Sequence, residues 1–111
     1  MARLSTHVLD TVKGKPAGDV KVELHYGGRL IRTVNTSADG RGELISGDRI
    51  EIGIYELTFY AGEYFRACGV TLTDPPFLDL VVIRFGVADG EGKYHVPLLI
   101  SPYGYSTYRG S

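Results

Sequence analysis

The chain is 111 residues long, 43% hydrophobic and 23% charged, with 12 basic and 13 acidic side chains and a net charge of −1. That is room for one domain, residues 1–111, of ordinary globular composition. It lacks the strong positive field that nucleic acid or an anionic membrane surface demands of a partner. The single cysteine, Cys68, cannot close a disulfide within the chain, which suits a reducing compartment. No stretch approaches the ~18 apolar residues of a membrane span, and Met1–Val12 contains no apolar run suited to a secretory signal. A cytoplasmic protein is the expectation.

Fifteen glycines, five prolines and eight tyrosines among many valines, isoleucines and threonines describe short strands broken by turns. Leu4–Asp10 alternates Leu4, Thr6 and Val8 against Ser5, His7 and Leu9 and ends at the turn cluster 14–18. Val20–Tyr26 sets Val20, Val22, Leu24 and Tyr26 against Lys21, Glu23 and His25, the period of two of a half-exposed strand. Gly27-Gly28 turns the chain into a third strand, Arg29–Thr36. After Asp39-Gly40-Arg41-Gly42 come a short strand, Glu43–Ile45, and a longer one, Gly53–Ala61. Gly62–Cys68 lacks prolines and β-branched residues and reads as one short helix with Gly69 beyond its end. Phe77–Val87 is apolar enough for a central strand, Asp89–Gly92 reads as a hairpin into Lys93–Ser101, and Tyr103–Arg109 closes the chain as a last strand. Eight strands and one helix at this spacing predict an all-β fold, a two-sheet β-sandwich, because a single sheet of that size leaves one face bare.

Three histidines are the first candidates for chemistry. His25 shares the charged face of its strand and needs no function to explain it. His7 interrupts a strand otherwise built for burial. His95 sits in Tyr94-His95-Val96-Pro97, where the proline suggests an edge or a bulge that re-aims a side chain. The spacing offers no His-x-His or His-x-x-x-His pair, so no metal and no cofactor is expected. No phosphate loop and no Gly-x-Ser-x-Gly elbow occurs either. Arg41 follows a turn, a position that is ordinarily solvated. The carboxyl end stays aromatic to the last residues, Tyr103-Gly104-Tyr105-Ser106-Thr107-Tyr108-Arg109-Gly110-Ser111. Termini normally fray, so this reads as a docked end and an edge suited to pairing with another subunit.

Together, Leu4-Ser5-Thr6-His7-Val8-Leu9-Asp10, Gly14-Lys15-Pro16-Ala17, Asp39-Gly40-Arg41, Ala61-Gly62-Glu63-Tyr64-Phe65, Tyr94-His95-Val96-Pro97-Leu98-Leu99 and the final Tyr108-Arg109-Gly110-Ser111 make the chain resemble the 5-hydroxyisourate hydrolases. These are the transthyretin-related enzymes of purine catabolism, and the resemblance runs over essentially the whole length. It implies an eight-stranded transthyretin-like sandwich assembled as a homotetramer, a dimer of dimers. It also implies catalytic positions at His7, Arg41, His95 and Ser111, with His7, Arg41 and Tyr108 holding the substrate. Residues 43–52 depart from the commoner family pattern, which leaves the course of that loop open.

The implied reaction is attack of water on a ring carbonyl of 5-hydroxyisourate, giving 2-oxo-4-hydroxy-4-carboxy-5-ureidoimidazoline. Histidine suits proton transfer near neutral pH, and a guanidinium suits the oxygens of the ring and the charge that grows on them. Residue types alone leave open which histidine is the base. The competing class is a transthyretin-like protein that binds a small ligand without chemistry. Such a channel calls for apolar lining rather than two histidines and an arginine.

Overall fold

The structure, a computed structural model, describes residues 1–110. Its strands are β1 (Ala2–Asp10), β2 (Lys15–Pro16), β3 (Lys21–Tyr26), β4 (Arg29–Asn35), β5 (Arg41–Gly47), β6 (Gly53–Tyr60), β7 (Leu80–Val87), β8 (Lys93–Ser101) and β9 (Gly104–Thr107), with one helix, α1 (Ala61–Ala67), between β6 and β7. The expected eight strands are all present, and the two-residue β2 is added where the sequence reads only as turn.

One sheet runs β4-β3-β6-β7, all antiparallel. The other centres on β1 and β8, which pair in parallel from Arg3↔Lys93 to Asp10↔Ile100, with β9 beyond β8. β5 pairs with β1 along Ala2–His7, and β2 along Leu9–Asp10. Period-two alternation on both sheets drives the core: Leu4, Val8, Val22, Leu24, Leu57, Phe59, Leu98 and Ile100 are wholly buried between them. The Gly27-Gly28 hairpin forms as expected, both residues in the left-handed region at φ 59° and 76°.

Three expectations are corrected. The strand expected at Phe77–Val87 is not central: β7 begins at Leu80 and forms the edge of its sheet, paired only with β6 among the described residues. The 88–92 connection is not a hairpin, because β7 and β8 belong to opposite sheets and the segment crosses between them. Pro97 marks neither an edge nor a bulge, since β8 is an interior strand paired on both sides. The Pro97 carbonyl accepts the Thr107 hydroxyl at 2.7 Å. Ladder pairing to β9 begins only at Leu98↔Thr107, so the missing N–H falls just past the end of β9 and costs no ladder bond.

Asp10 ties the end of β1 to the helix. Its carboxylate, 1% exposed, accepts the Tyr64 hydroxyl at 2.8 Å and the N–H groups of Val12 and Lys13 at 2.9 and 3.1 Å. Burial, followed by its own hydrogen bond to Asp10, pushes the Tyr64 phenol well above its ordinary range. Asp10→Ala strips a buried charged acceptor from three donors and should cost about 3 kcal/mol. A lower denaturant midpoint at fixed protein concentration is the expected reading.

Candidate active site

The alternation that sends Leu4, Thr6 and Val8 into the core sends Arg3, Ser5 and His7 to the outer face of the sheet, and in β8 it does the same for Lys93, His95 and Pro97. Parallel pairing sets Ser5 beside His95 and His7 beside Pro97. His7 and His95 are therefore diagonal neighbours on one face, roughly 8 Å apart at ordinary strand spacings. On the other side of β1, β5 sets Arg41 opposite His7.

The Asp39-Gly40 turn delivers that arginine. Gly40 sits at φ 77°, and a Cβ there would run into the Val8 carbonyl. Val8 N–H in turn donates to the Gly40 carbonyl at 2.7 Å, and Ser37 and Arg41 close the turn through a 2.8 Å bond from Ser37 N–H. His7 Nε2–H donates to the Asp39 carbonyl at 2.9 Å, which fixes one ring hydrogen on that nitrogen and orients the ring. Arg41 is exposed, and no carboxylate among the described residues pairs with it. The ion pair on this face is Arg3 with Glu43, at 3.0 Å.

His95 is half-buried, with Nδ1 and the Ser5 hydroxyl 2.9 Å apart. Burial holds its imidazole below the ordinary histidine range, and the charges of His7, Arg41 and Arg3 push it the same way. A neutral imidazole facing an unpaired guanidinium is a base beside an anion-binding group. His95, Arg41, Ser5, Arg3 and Lys93 line a depression of about 220 Å³.

The structure thus brings together His7, Arg41 and His95 from three separate strands. The chain end reaches the same place, because Gly110 N–H donates to the His95 carbonyl at 2.8 Å. Tyr108 does not join them within one chain. It is 60% exposed and lines a different hollow with Ile83, Phe85 and Thr107. Ser111 lies outside the described residues. His25 is half-buried on the other sheet, opposite Glu56, away from this face. Ser5, Arg3 and Lys93 went unnoticed in the sequence, although Ser5 and Arg3 share the parity of His7, and Lys93 that of His95.

A two-sheet sandwich of this topology, with histidines and a free arginine on one outer face, defines a transthyretin-like protein with the residue types of a hydrolase. Residues 4–110 match the HIUase/Transthyretin family, and the chain belongs to it. It is 57% identical over 115 residues to 5-hydroxyisourate hydrolase 2 of Rhizobium meliloti, covering 98% of this chain and 96% of that one. Among solved structures, the 5-hydroxyisourate hydrolase of Klebsiella pneumoniae superposes with a TM-score of 0.86 at 36% identity, over 100% of both chains. A crystal structure of (S)-allantoin synthase gives a TM-score of 0.91 at 41% identity, covering 99% of this chain but 44% of that longer one. The chain spans less than half of that protein.

Proposed function

We propose that the protein hydrolyses 5-hydroxyisourate to 2-oxo-4-hydroxy-4-carboxy-5-ureidoimidazoline in urate degradation, residues 1–111 acting as one hydrolase domain. The observation that carries this reading is the meeting of His7, Arg41 and His95 on one outer sheet face, with His95 held neutral by burial and by neighbouring cations. His95 acts as the base. With its hydrogen on Nδ1 and donated to Ser5 Oγ, the Nε2 lone pair takes a proton from water as the water oxygen bonds to the ring carbonyl carbon. Arg41 takes the negative charge that develops on the carbonyl oxygen. When the ring C–N bond breaks, His95 returns that proton to the leaving nitrogen while His7 orients the water, and the new carboxyl group loses its own proton to solvent and stays beside Arg41 as a carboxylate. Ser111 orients a histidine or the water, and Tyr108 holds the purine-like ring from a neighbouring protomer.

That last role belongs to a homotetramer. Its support is the line of exposed apolar groups along the β7 and β9 edges, namely Phe77, Leu80, Val82, Tyr103 and Tyr105 at 46–70% exposure, with Phe77 and Tyr103 rings 6.0 Å apart. Unpaired strand edges of this kind are ready templates for a second copy. No helix of the described residues is long and apolar enough to cross a membrane, and the cytoplasm is the proposed location.

The test generates 5-hydroxyisourate from urate with urate oxidase and follows its ultraviolet decay, the spontaneous reaction subtracted. Wild-type protein should accelerate the decay, and His7→Ala should slow the catalysed rate by about 10² or more. Background decay with properly assembled wild-type protein would leave only a ligand-binding sandwich.

A further inference from the structure

The last described residues do more than reach the site. Gly110 is not among the glycines with left-handed backbone, so its place calls for a missing side chain rather than for an unusual φ. A Cβ there would lie 2.6 Å from His95 Cδ2, 3.2 Å from Cγ and 3.3 Å from Cβ. The bare Cα therefore rests against the edge of the imidazole, one ring atom from Nε2, while Ser5 engages Nδ1 on the opposite edge. Between them the two contacts leave the ring one orientation.

The residue before it supplies the hold. Arg109 places its guanidinium 4.3 Å from the centre of the Tyr94 ring, a cation–π contact. Its Nη2 also donates to the Lys93 carbonyl at 3.5 Å. Tyr94 is itself immobilised: 6% exposed, with its hydroxyl oxygen accepting the N–H groups of Ala88 and Asp89 at 3.1 and 3.0 Å. Tyr94 and His95 are consecutive on β8 and face opposite sides of the sheet. Arg109 and Gly110 are consecutive on the tail, so each tail residue seats on one member of that pair.

We propose that Arg109 and Gly110 form a clasp on Tyr94 and His95 in which Gly110 is a positioning residue, setting the His95 imidazole with Nε2 turned to the substrate. The proposal concerns the catalysis described above and rests on that reading for its kinetic consequences. Its structural content, the orientation and cover of one imidazole, stands without it.

Displacing the clasp uncovers the ring. The titratable and charged groups on the face of His95 are Arg3 and His7 from β1, Arg41 from β5 and Lys93 from β8, with the Ser5 hydroxyl on Nδ1; a Gly110 variant alters none of these side chains, only the cover that the tail gives the ring. Burial is the largest cause of the lowered His95 value, so loss of cover should raise it toward the ordinary ~6.5.

The experiment titrates the His95 imidazole by NMR in wild-type protein, Gly110→Ala, Arg109→Gln and Arg109→Lys, and measures kcat and KM for 5-hydroxyisourate on the same samples. Gly110→Ala and Arg109→Gln should both raise the His95 midpoint and lower kcat by about 100-fold, the scale of a reacting group displaced by ~1 Å, with KM within about threefold. Arg109→Lys, which keeps a cation over the Tyr94 ring, should restore most of both. A midpoint left at the wild-type value by either Gly110→Ala or Arg109→Gln overturns the clasp. Should Gly110→Ala fail to fold, Arg109→Gln, a change at an exposed side chain, decides alone. If the midpoints move as expected while wild-type protein does not hydrolyse the substrate, the clasp stands and the hydrolase reading falls.

Discussion

His95→Ala is expected to lower kcat by about 10²- to 10⁴-fold, the contribution of a positioned general base, and the wild-type pH profile should name the residue responsible. Burial, and then the charges of His7, Arg41 and Arg3, disfavour the imidazolium of His95. The neutral, proton-accepting form therefore persists to lower pH than free histidine allows. The acidic limb of kcat/KM should have its midpoint below ~6.5, and the activity left in His95→Ala should not follow that limb. The same shift bears on stability. Above the unfolded value of ~6.5 the imidazole is neutral in both states and contributes no pH dependence. As pH falls through ~6.5 toward the lower folded value, the unfolded chain takes up a proton that the folded protein resists, and stability is lost. Denaturant midpoints measured from pH 7 to 5 should thus fall more steeply for wild type than for His95→Ala. A wild-type limb at or above 6.5 would mean that His95 is not the base.

How far these residues were visible in the sequence depended on what kind of information placed them. Lys93–Ser101 is observed with the bounds expected from its pattern, because a glycine-rich turn and a proline flank a run that faces the core on alternate residues. The sequence pattern shows three residues of β5, Glu43–Ile45, where the strand runs to seven, Arg41–Gly47. Only Leu44 of that strand is buried, so alternation had little to register, and its length comes from pairing with β1 across a bulge between Leu4 and Ser5. The 88–92 connection differs from the expected hairpin for a related reason: turn residues signal a reversal but carry no sign of which sheet receives the next strand.

The site divides along the same line. Local pattern puts His7 opposite in parity to Leu4 and Val8, and His95 opposite to Val96 and Leu98, so each histidine was readable as facing away from its own strand's apolar residues. That these two outward faces are one face follows only from the parallel β1–β8 ladder, a pairing between the two ends of the chain that no local rule supplies. Ser5 was missed because a lone serine in a strand carries no signal until His95 is placed 2.9 Å from it. Tyr108 enters the site through the family resemblance, and the strand pattern of the tail carries no sign of which hollow it lines. Within one chain it opens onto another hollow, which Arg109 also lines.

Arg41→Ala is expected to lower kcat/KM by about 10²- to 10³-fold, the range for removing a donor aimed at a developing oxyanion. Arg29→Ala, at an exposed hairpin position on the other sheet, should leave it unchanged. The comparison is clean because the turn that carries Arg41 is built from other atoms. Gly40 and Ser37 close it through backbone bonds at 2.8 Å, and the Gly40 carbonyl accepts Val8 N–H at 2.7 Å. His7 is held by the Asp39 carbonyl and not by the arginine side chain. Removing the guanidinium should therefore leave both histidines in place while taking away the charge that faces the substrate. The loss should appear mainly in kcat if the guanidinium meets charge that exists only in the transition state, and in KM to the extent that it also holds the ring oxygens of the ground state. Arg41→Lys keeps the charge but not the planar fork of donors, so it should recover part of the rate and little of a bidentate grip. Arg41→Ala with the activity of Arg29→Ala would remove the arginine from the site and leave the oxyanion without a charged partner on this face other than Arg3 and Lys93.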